Sequence, residues 1–194
     1  MENLFFEHAY GISDAINAFF MYSFFGWAME CLYIRATEGF WENRGFVHAP
    51  FCIIYGFGGM LGYVLLKPFS DNYIKLYIAG AILATVFELL TAHLMRRLFG
   101  TVWWDYNEKF LNYKGVICLE STLGWGVISV LLFAVLQRGI FSIVLRIPRE
   151  TAPVIAGFLV LAYSIDFAVS VHTAYMRKQR NENNETSASD ILKG

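Results

Sequence analysis

Four acidic residues stand where acids are costly. Glu30, Glu88, Glu120 and Asp166 each interrupt a run of apolar side chains, and a charge at the centre of a hydrocarbon layer costs roughly 2.5–3.5 kcal/mol on insertion scales unless it is partnered. Carboxylates kept in such places bind or relay cations or protons, or are held by Tyr, Ser or Trp donors inside a bundle. Arg44 and Asp105 lie in the polar connections beside them, with Asn112 in the second connection and Tyr55 in an apolar segment. Together these eight residues make a candidate pathway for a substrate or ion, with Arg44 and Asp105 at its mouth.

Other chemistries find less support. Cys31, Cys52 and Cys118 are odd in number and form no CxxC pair, so neither a disulfide framework nor a Cys3His metal site with His48 is expected, and the thiols read as small buried groups. His93 follows Glu88 by five residues, about 140° around a helix, so the two do not project from one face as metal ligands. Ser121 and Ser164 lack a GxSxG elbow, and no GxxxxGK[ST] loop occurs, which leaves no catalytic nucleophile, no metal and no bound cofactor to expect. A net charge of -1 without a basic tract excludes nucleic acid as a partner.

The elements that carry these residues belong to a membrane. Of 194 residues 57% are hydrophobic and 16% charged, against roughly 25% charged in ordinary soluble domains. Five apolar segments, 15–34, 50–66, 76–95, 116–136 and 152–176, approach or exceed the roughly 20 residues needed to span a bilayer. The second is short and rich in glycine, with Gly56, Gly58, Gly59 and Gly62, and as a helix would reach about 26 Å. It is read as a short span rather than a re-entrant hairpin, because Lys67 and Lys75 bracket a tight connection after it. The expectation is an all-α polytopic membrane protein of about five transmembrane helices, residues 1–176 forming one transmembrane domain and 177–194 a polar cytoplasmic tail.

The N-terminal residues carry Glu2 and Glu7 without Lys or Arg, unlike a secretory signal peptide. Lys and Arg number five on the side of the N-terminus (Lys67, Lys75, Arg138, Arg146, Arg149) and ten on the other. The positive-inside rule then puts the N-terminus outside and the C-terminus in the cytoplasm of a plasma membrane. On that topology all four acids lie toward the cytoplasmic side, close to two long loops rich in Trp, Tyr, Asn and Gly. Trp41, Trp103 and Trp104 read as an interfacial belt. The units Glu30, Arg44-Gly45, Cys52, Gly56-Phe57-Gly58 and Glu88, Lys114-Gly115, Cys118, Gly124-Trp125-Gly126 suggest a parallel two-helix repeat. Such repeats place binding sites between halves, while Gly58 and Gly62 form a GxxxG packing pair.

Arg44-Gly45, Pro50-Phe51-Cys52-Ile53-Ile54-Tyr55-Gly56-Phe57-Gly58, Glu88, Trp104-Asp105-Tyr106, Asn112, Gly115-Val116-Ile117-Cys118-Leu119, Ser121 and Trp125-Gly126 together resemble a bacterial family, the putative ABC-transporter type IV permeases, or CmpB-like proteins. The resemblance covers about residues 20–130. It implies a permease whose ATPase is a separate subunit docking on a cytoplasmic loop. The expected function is thus an inner-membrane transport protein, working as a homodimer or with partner subunits, with an acidic cavity that binds a cation or proton. Two other classes share these features: a membrane enzyme acting on a lipid-linked substrate, with Glu88 or Glu120 as base and a metal at Asp105, and a noncatalytic sensor or scaffold.

Overall fold

The computed structural model describes residues 11–191, so the N-terminal acids Glu2 and Glu7 and the tail residue Lys193 lie outside the described residues. Each of the five apolar segments is helical. The elements are α1 (Ile12–Glu38), α2 (Ile53–Leu66), α3 (Tyr73–Phe99), α4 (Leu119–Leu131), α5 (Gln137–Val144) and α6 (Ala152–Ile191). A 3-10 turn, Lys67–Phe69, follows α2, and a π-helical segment, Leu132–Leu136, joins α4 to α5 in one continuous rod. Tyr73–Phe99, Leu119–Val144 and Ala152–Arg177 are long and apolar enough to cross a membrane. α1 is as long as α3 but more polar, with Asn17, Ser23, Glu30 and Arg35 along it.

Chain chemistry sets the ends. α1 and α3 both stop at a glycine in the left-handed region, Gly39 (φ 81°) and Gly100 (φ 79°), which caps a helix without a Cβ penalty. Asn72 starts α3 by accepting from the amides of Ile74 and Lys75. α4 begins at Leu119, three residues later than hydropathy suggests, because Tyr113 and Ile117 pair in an antiparallel bridge. At the other end the rod runs on to Val144, and α6 continues as helix past Met176 to Ile191.

The helices form two antiparallel pairs, α1 with α2 and α3 with α4, and α6 packs along α1. Within each pair glycines let the backbones approach. A Cβ on Gly26 would fall 2.1 Å from Tyr55 Cγ, and one on Gly80 would fall 2.2 Å from Ser129 Cβ. Gly59 faces the Tyr22 ring, so α2 runs back along α1 as a single helix and does not double back within the segment. Its 14 residues span about 21 Å. A cluster of Ala18, Tyr22, Leu132, Ile140, Phe141 and Val144 joins the pairs at one end. Outward faces are apolar: Ile74, Ile78, Ile82, Val86, Leu90, Leu94 and Leu98 make an exposed stripe along α3, the inverse of a soluble helix and the pattern of a surface solvated by lipid.

Candidate functional site

Glu88, in the middle of α3, is only 4% exposed. Its oxygens are met by three donors. The Tyr106 hydroxyl donates to Oε1 at 3.2 Å, the Trp125 indole N–H donates to Oε2 at 3.1 Å, and Ser121 Oγ lies 3.4 Å from Oε2. Ser121 Oγ is also 3.1 Å from the Cys118 carbonyl, and its single proton serves one acceptor or the other. Local folding dictates this arrangement. Cys118 caps α4 in the role usually taken by Ser or Thr, its sulfur accepting from the Ser121 amide while Ser121 Oγ accepts from the Cys118 amide. Trp125 lies one turn further on, on the same face as Ser121.

Tyr106 comes from the loop 100–118 instead of a helix. Its amide donates to the Gly115 carbonyl, and Trp104 Nε1 donates to the Val116 carbonyl at 2.8 Å. Gly115 has φ 69°, and a Cβ there would meet the Asn107 side chain at 2.7 Å, so the fold of this loop requires glycine. Burial, and then the charge at Glu88, hold the Tyr106 phenol well above its ordinary pKa, which keeps it a proton donor.

Glu30 has the corresponding place in the first pair. Tyr55, third residue of α2 as Ser121 is third of α4, donates its hydroxyl to Glu30 Oε1. The Tyr55 ring meets Trp125 with centroids 5.7 Å apart. A polar bridge therefore crosses between the pairs in the order Glu30, Tyr55, Trp125, Glu88. Each carboxylate faces the N-terminal turn of the next helix, whose partial positive charge favours it.

The other two acids lie elsewhere. Glu120 precedes Ser121 by one residue, about 100° around α4, and its side chain is 60% exposed. It accepts from Lys109 Nζ at 2.9 Å and from the Tyr33 hydroxyl at 3.4 Å. That hydrogen bond and the charge of Glu120 push the Lys109 ammonium above its ordinary pKa. Asp166 accepts from the Ala49 amide at 2.7 Å and pairs with His48 Nδ1 at 2.8 Å, holding the loop 39–52 to α6. Ser170 Oγ approaches the same His48 nitrogen at 3.4 Å, so the three do not form a nucleophilic relay, which needs both ring nitrogens. Asp166→Ala is expected to speed amide exchange across 45–52, most of all at Ala49, while leaving exchange around Ser121 unchanged in hydrogen-exchange mass spectrometry.

The loop candidates are mainly organisers of chain. Arg44 pairs with Glu42 and donates to the Trp103 carbonyl at 3.4 Å, tying one loop to the other. Phe46 adds ring contacts to Phe99, Trp103 and Phe167. Asp105 accepts from the amide and side chain of Asn107 in a turn, and Asn112 donates to the carbonyls of Asn107 and Lys109 while accepting from the Gly115 amide. Asn43 does the same work in the first loop, donating to the Val47 and His48 carbonyls and accepting from Gly45 and Trp27. Among the described residues no group of three or more His, Cys, Asp or Glu side chains is placed to hold a metal ion.

A cavity of about 700 Å³ separates the two helix pairs. Tyr55, Glu88 and Trp125 stand at one end of its lining and Tyr22, Leu132 and Ile140 at the other. The lining of this cavity is mainly hydrocarbon, and of the four acids expected from sequence to share a cavity it includes Glu88, with Glu30, Glu120 and Asp166 outside it among the described residues. Tyr106, Trp125 and Ser121 are the residues sequence reasoning left out of the site. Their signal was present in the Trp104-Asp105-Tyr106 string and in the Ser121 to Trp125 spacing of one helical turn.

Comparison with known proteins agrees with the membrane architecture. The family model described as "Putative ABC-transporter type IV" matches residues 17–171, a range that takes in both helix pairs, the bridge and the cavity. No curated protein and no solved structure matches the chain.

Proposed function

Since the chain belongs to the "Putative ABC-transporter type IV" family, we propose that it is a permease-like subunit of the plasma membrane whose ATPase resides on another chain. The observation that carries this reading is the bridge from Glu30 through Tyr55 and Trp125 to Glu88, which links two similarly built helix pairs across a cavity. Sites between repeated halves suit alternating access, because rocking one half against the other opens a path on either side. The bridge is then the element that senses which way the halves stand.

The ten-to-five distribution of Lys and Arg supports placing the loops 39–52 and 100–118 and the end of α6 in the cytoplasm. Joined by Arg44 and the Phe46 rings, the loops offer one composite surface to a nucleotide-hydrolysing partner. Purification of the full chain from its native membrane is expected to recover such a subunit, and ATP hydrolysis by the complex should change when Arg44→Ala and Phe46→Ala together remove both ties between the loops. Isolation of the chain alone, with no ATPase bound, would sink the reading. A lipid-modifying enzyme is the second reading, favoured by the apolar cavity ending at a carboxylate; turnover of a lipid by the purified chain alone selects it.

A further inference from the structure

We propose that the cavity between the helix pairs is a site for a hydrocarbon chain of a membrane lipid, and that the molecule handled here is an amphiphile carrying such a chain. The inference deepens the transport reading by naming a substrate class, and it rests on that reading only for the word substrate.

Three observations argue for a chain over a small polar solute. The first is lining chemistry. Apart from Glu88, Ser129 and the polar tips of Tyr22, Tyr55 and Trp125, the wall is built from aliphatic and aromatic side chains and bare glycine backbone, such as Leu83, Phe87 and Gly58. Glu88 already accepts hydrogen bonds from the protein on both oxygens, so a hydrated ion entering the cavity would lose its water and find few replacement ligands, a large cost in an apolar medium. Hydrocarbon loses nothing there.

The second is shape. Along α2 the lining runs from Ile54 to Leu66, about 18 Å at 1.5 Å per residue. One leaflet of a bilayer is about half of a 30 Å hydrocarbon core, so the slot has the length of one lipid chain. Its ends are closed by side chains already described, the Tyr55 and Trp125 rings at one and the Tyr22 cluster at the other.

The third is access. Val86 and Leu90 of α3 belong to the exposed lipid-facing stripe and also line the cavity, as do the exposed Leu61 and Leu65 of α2. The slot is therefore continuous with the surface that lipid covers, and a chain enters sideways without crossing a polar surface.

Gly58 supplies a clean probe. It lines the cavity, and a Cβ built on it meets nothing within 4 Å. Gly58→Leu fills the slot without touching the helix contacts, and replaces the poorest ordinary helix former with a good one. Gly124 also has open space and is absent from the lining, so Gly124→Leu serves as the matched control. The full chain is reconstituted into phosphatidylcholine vesicles containing phosphatidylcholine with a photoreactive diazirine at the end of one acyl chain. After irradiation, labelled residues are mapped by mass spectrometry.

Labelling is expected at Leu83, Phe87 and the inner face of α2 as well as on the outer stripe at Ile78 and Ile82. Gly58→Leu should lose most of the inner labelling and keep the outer, while Gly124→Leu keeps both. Absence of inner labelling in the unmodified chain, or equal inner labelling in Gly58→Leu, overturns the proposal. Glu88→Gln separates this inference from the functional one. Inner labelling persists in that variant if the slot holds a chain, whatever becomes of ATP hydrolysis by the assembled complex.

Discussion

Glu88→Gln is expected to insert and fold normally and to lower ATP hydrolysis by the complex with its partner by roughly ten- to a hundredfold. The amide matches the carboxylate in shape, and the site can accommodate it in one orientation. Trp125 can only donate, so the amide oxygen must take the Oε2 place beside it, leaving the NH2 toward Tyr106. The Tyr106 hydroxyl can turn and accept. The Trp125 and Tyr106 groups then each keep a partner at residue 88, which is why folding survives. What is lost is the negative charge, and with it the hydrogen bonds to a charged acceptor, worth roughly 1.5–3 kcal/mol each, or one to two decades in a rate or equilibrium. Glu88→Leu is a harsher change, because it strands the Trp125 and Tyr106 donors in an apolar surround. Full activity in Glu88→Gln, measured on correctly inserted complex, would remove the bridge from the mechanism. Unchanged activity on converting Glu30, Glu88, Glu120 and Asp166 each to its amide is what a sensor or scaffold would give.

Gly26→Ala should be the most damaging of the small substitutions. The added methyl would lie 2.1 Å from Tyr55 Cγ and 2.3 Å from its Cβ. Those atoms sit next to the α2 backbone, so no rotation of the ring clears the clash, and the pair must spread. Overpacking of this kind costs about 1–3 kcal/mol, and here it also pulls the Tyr55 hydroxyl from Glu30 and its ring from Trp125. Thermal unfolding of the detergent-solubilised chain should show a clear loss of stability. Gly124→Ala, where the new methyl meets nothing within 4 Å, should show a gain of up to about 1 kcal/mol from helix propensity alone. Equal stability for the two variants would contradict the close packing of α1 on α2.

Hydropathy located the helices because burial in lipid is a one-dimensional property of a segment. It was silent on the site for a geometrical reason. Glu120 and Ser121 share a depth, yet one residue turns the side chain by about 100°, which separates an exposed ion pair with Lys109 from a contact with Glu88. Asp166 was legible as an acid in a span, but its partners, His48 and the Ala49 amide, are more than 100 residues away in the chain, and no spacing rule connects them. Asn112 and Asp105 drew attention as polar loop residues and proved to be turn-formers, a role their residue types share with ligand binding. Tyr106 was hardest to see, since a loop tyrosine that folds back onto a mid-helix carboxylate carries no periodicity. Of the repeat units read in the sequence, Cys52 and Cys118 both stand at helix starts, while the glycine caps on α1 and α3 and the loop-binding Asn43 and Asn112 are likenesses between the halves that the spacing did not contain.

The glycine contacts also determine where the molecule is stiff. Backbone meets side-chain base at Gly26 and Gly80, and ring at Gly59 and Gly126, with no freely rotating tip in between to yield. Each helix pair therefore behaves as a rigid strut. Between the struts there are the ring contacts of Tyr55 with Trp125 and of Tyr63 with Phe133 and Phe141, the Tyr33 to Glu120 hydrogen bond, the loop contacts of Arg44 and Phe46, a terminal apolar cluster and a void. Elastic strain applied at the loops cannot be absorbed inside a strut and must appear as hinge motion at the seam. A force of a given size on the joined loops is thus converted into a change in cavity width, as a pair of tongs converts pressure on the handles into movement of the jaws.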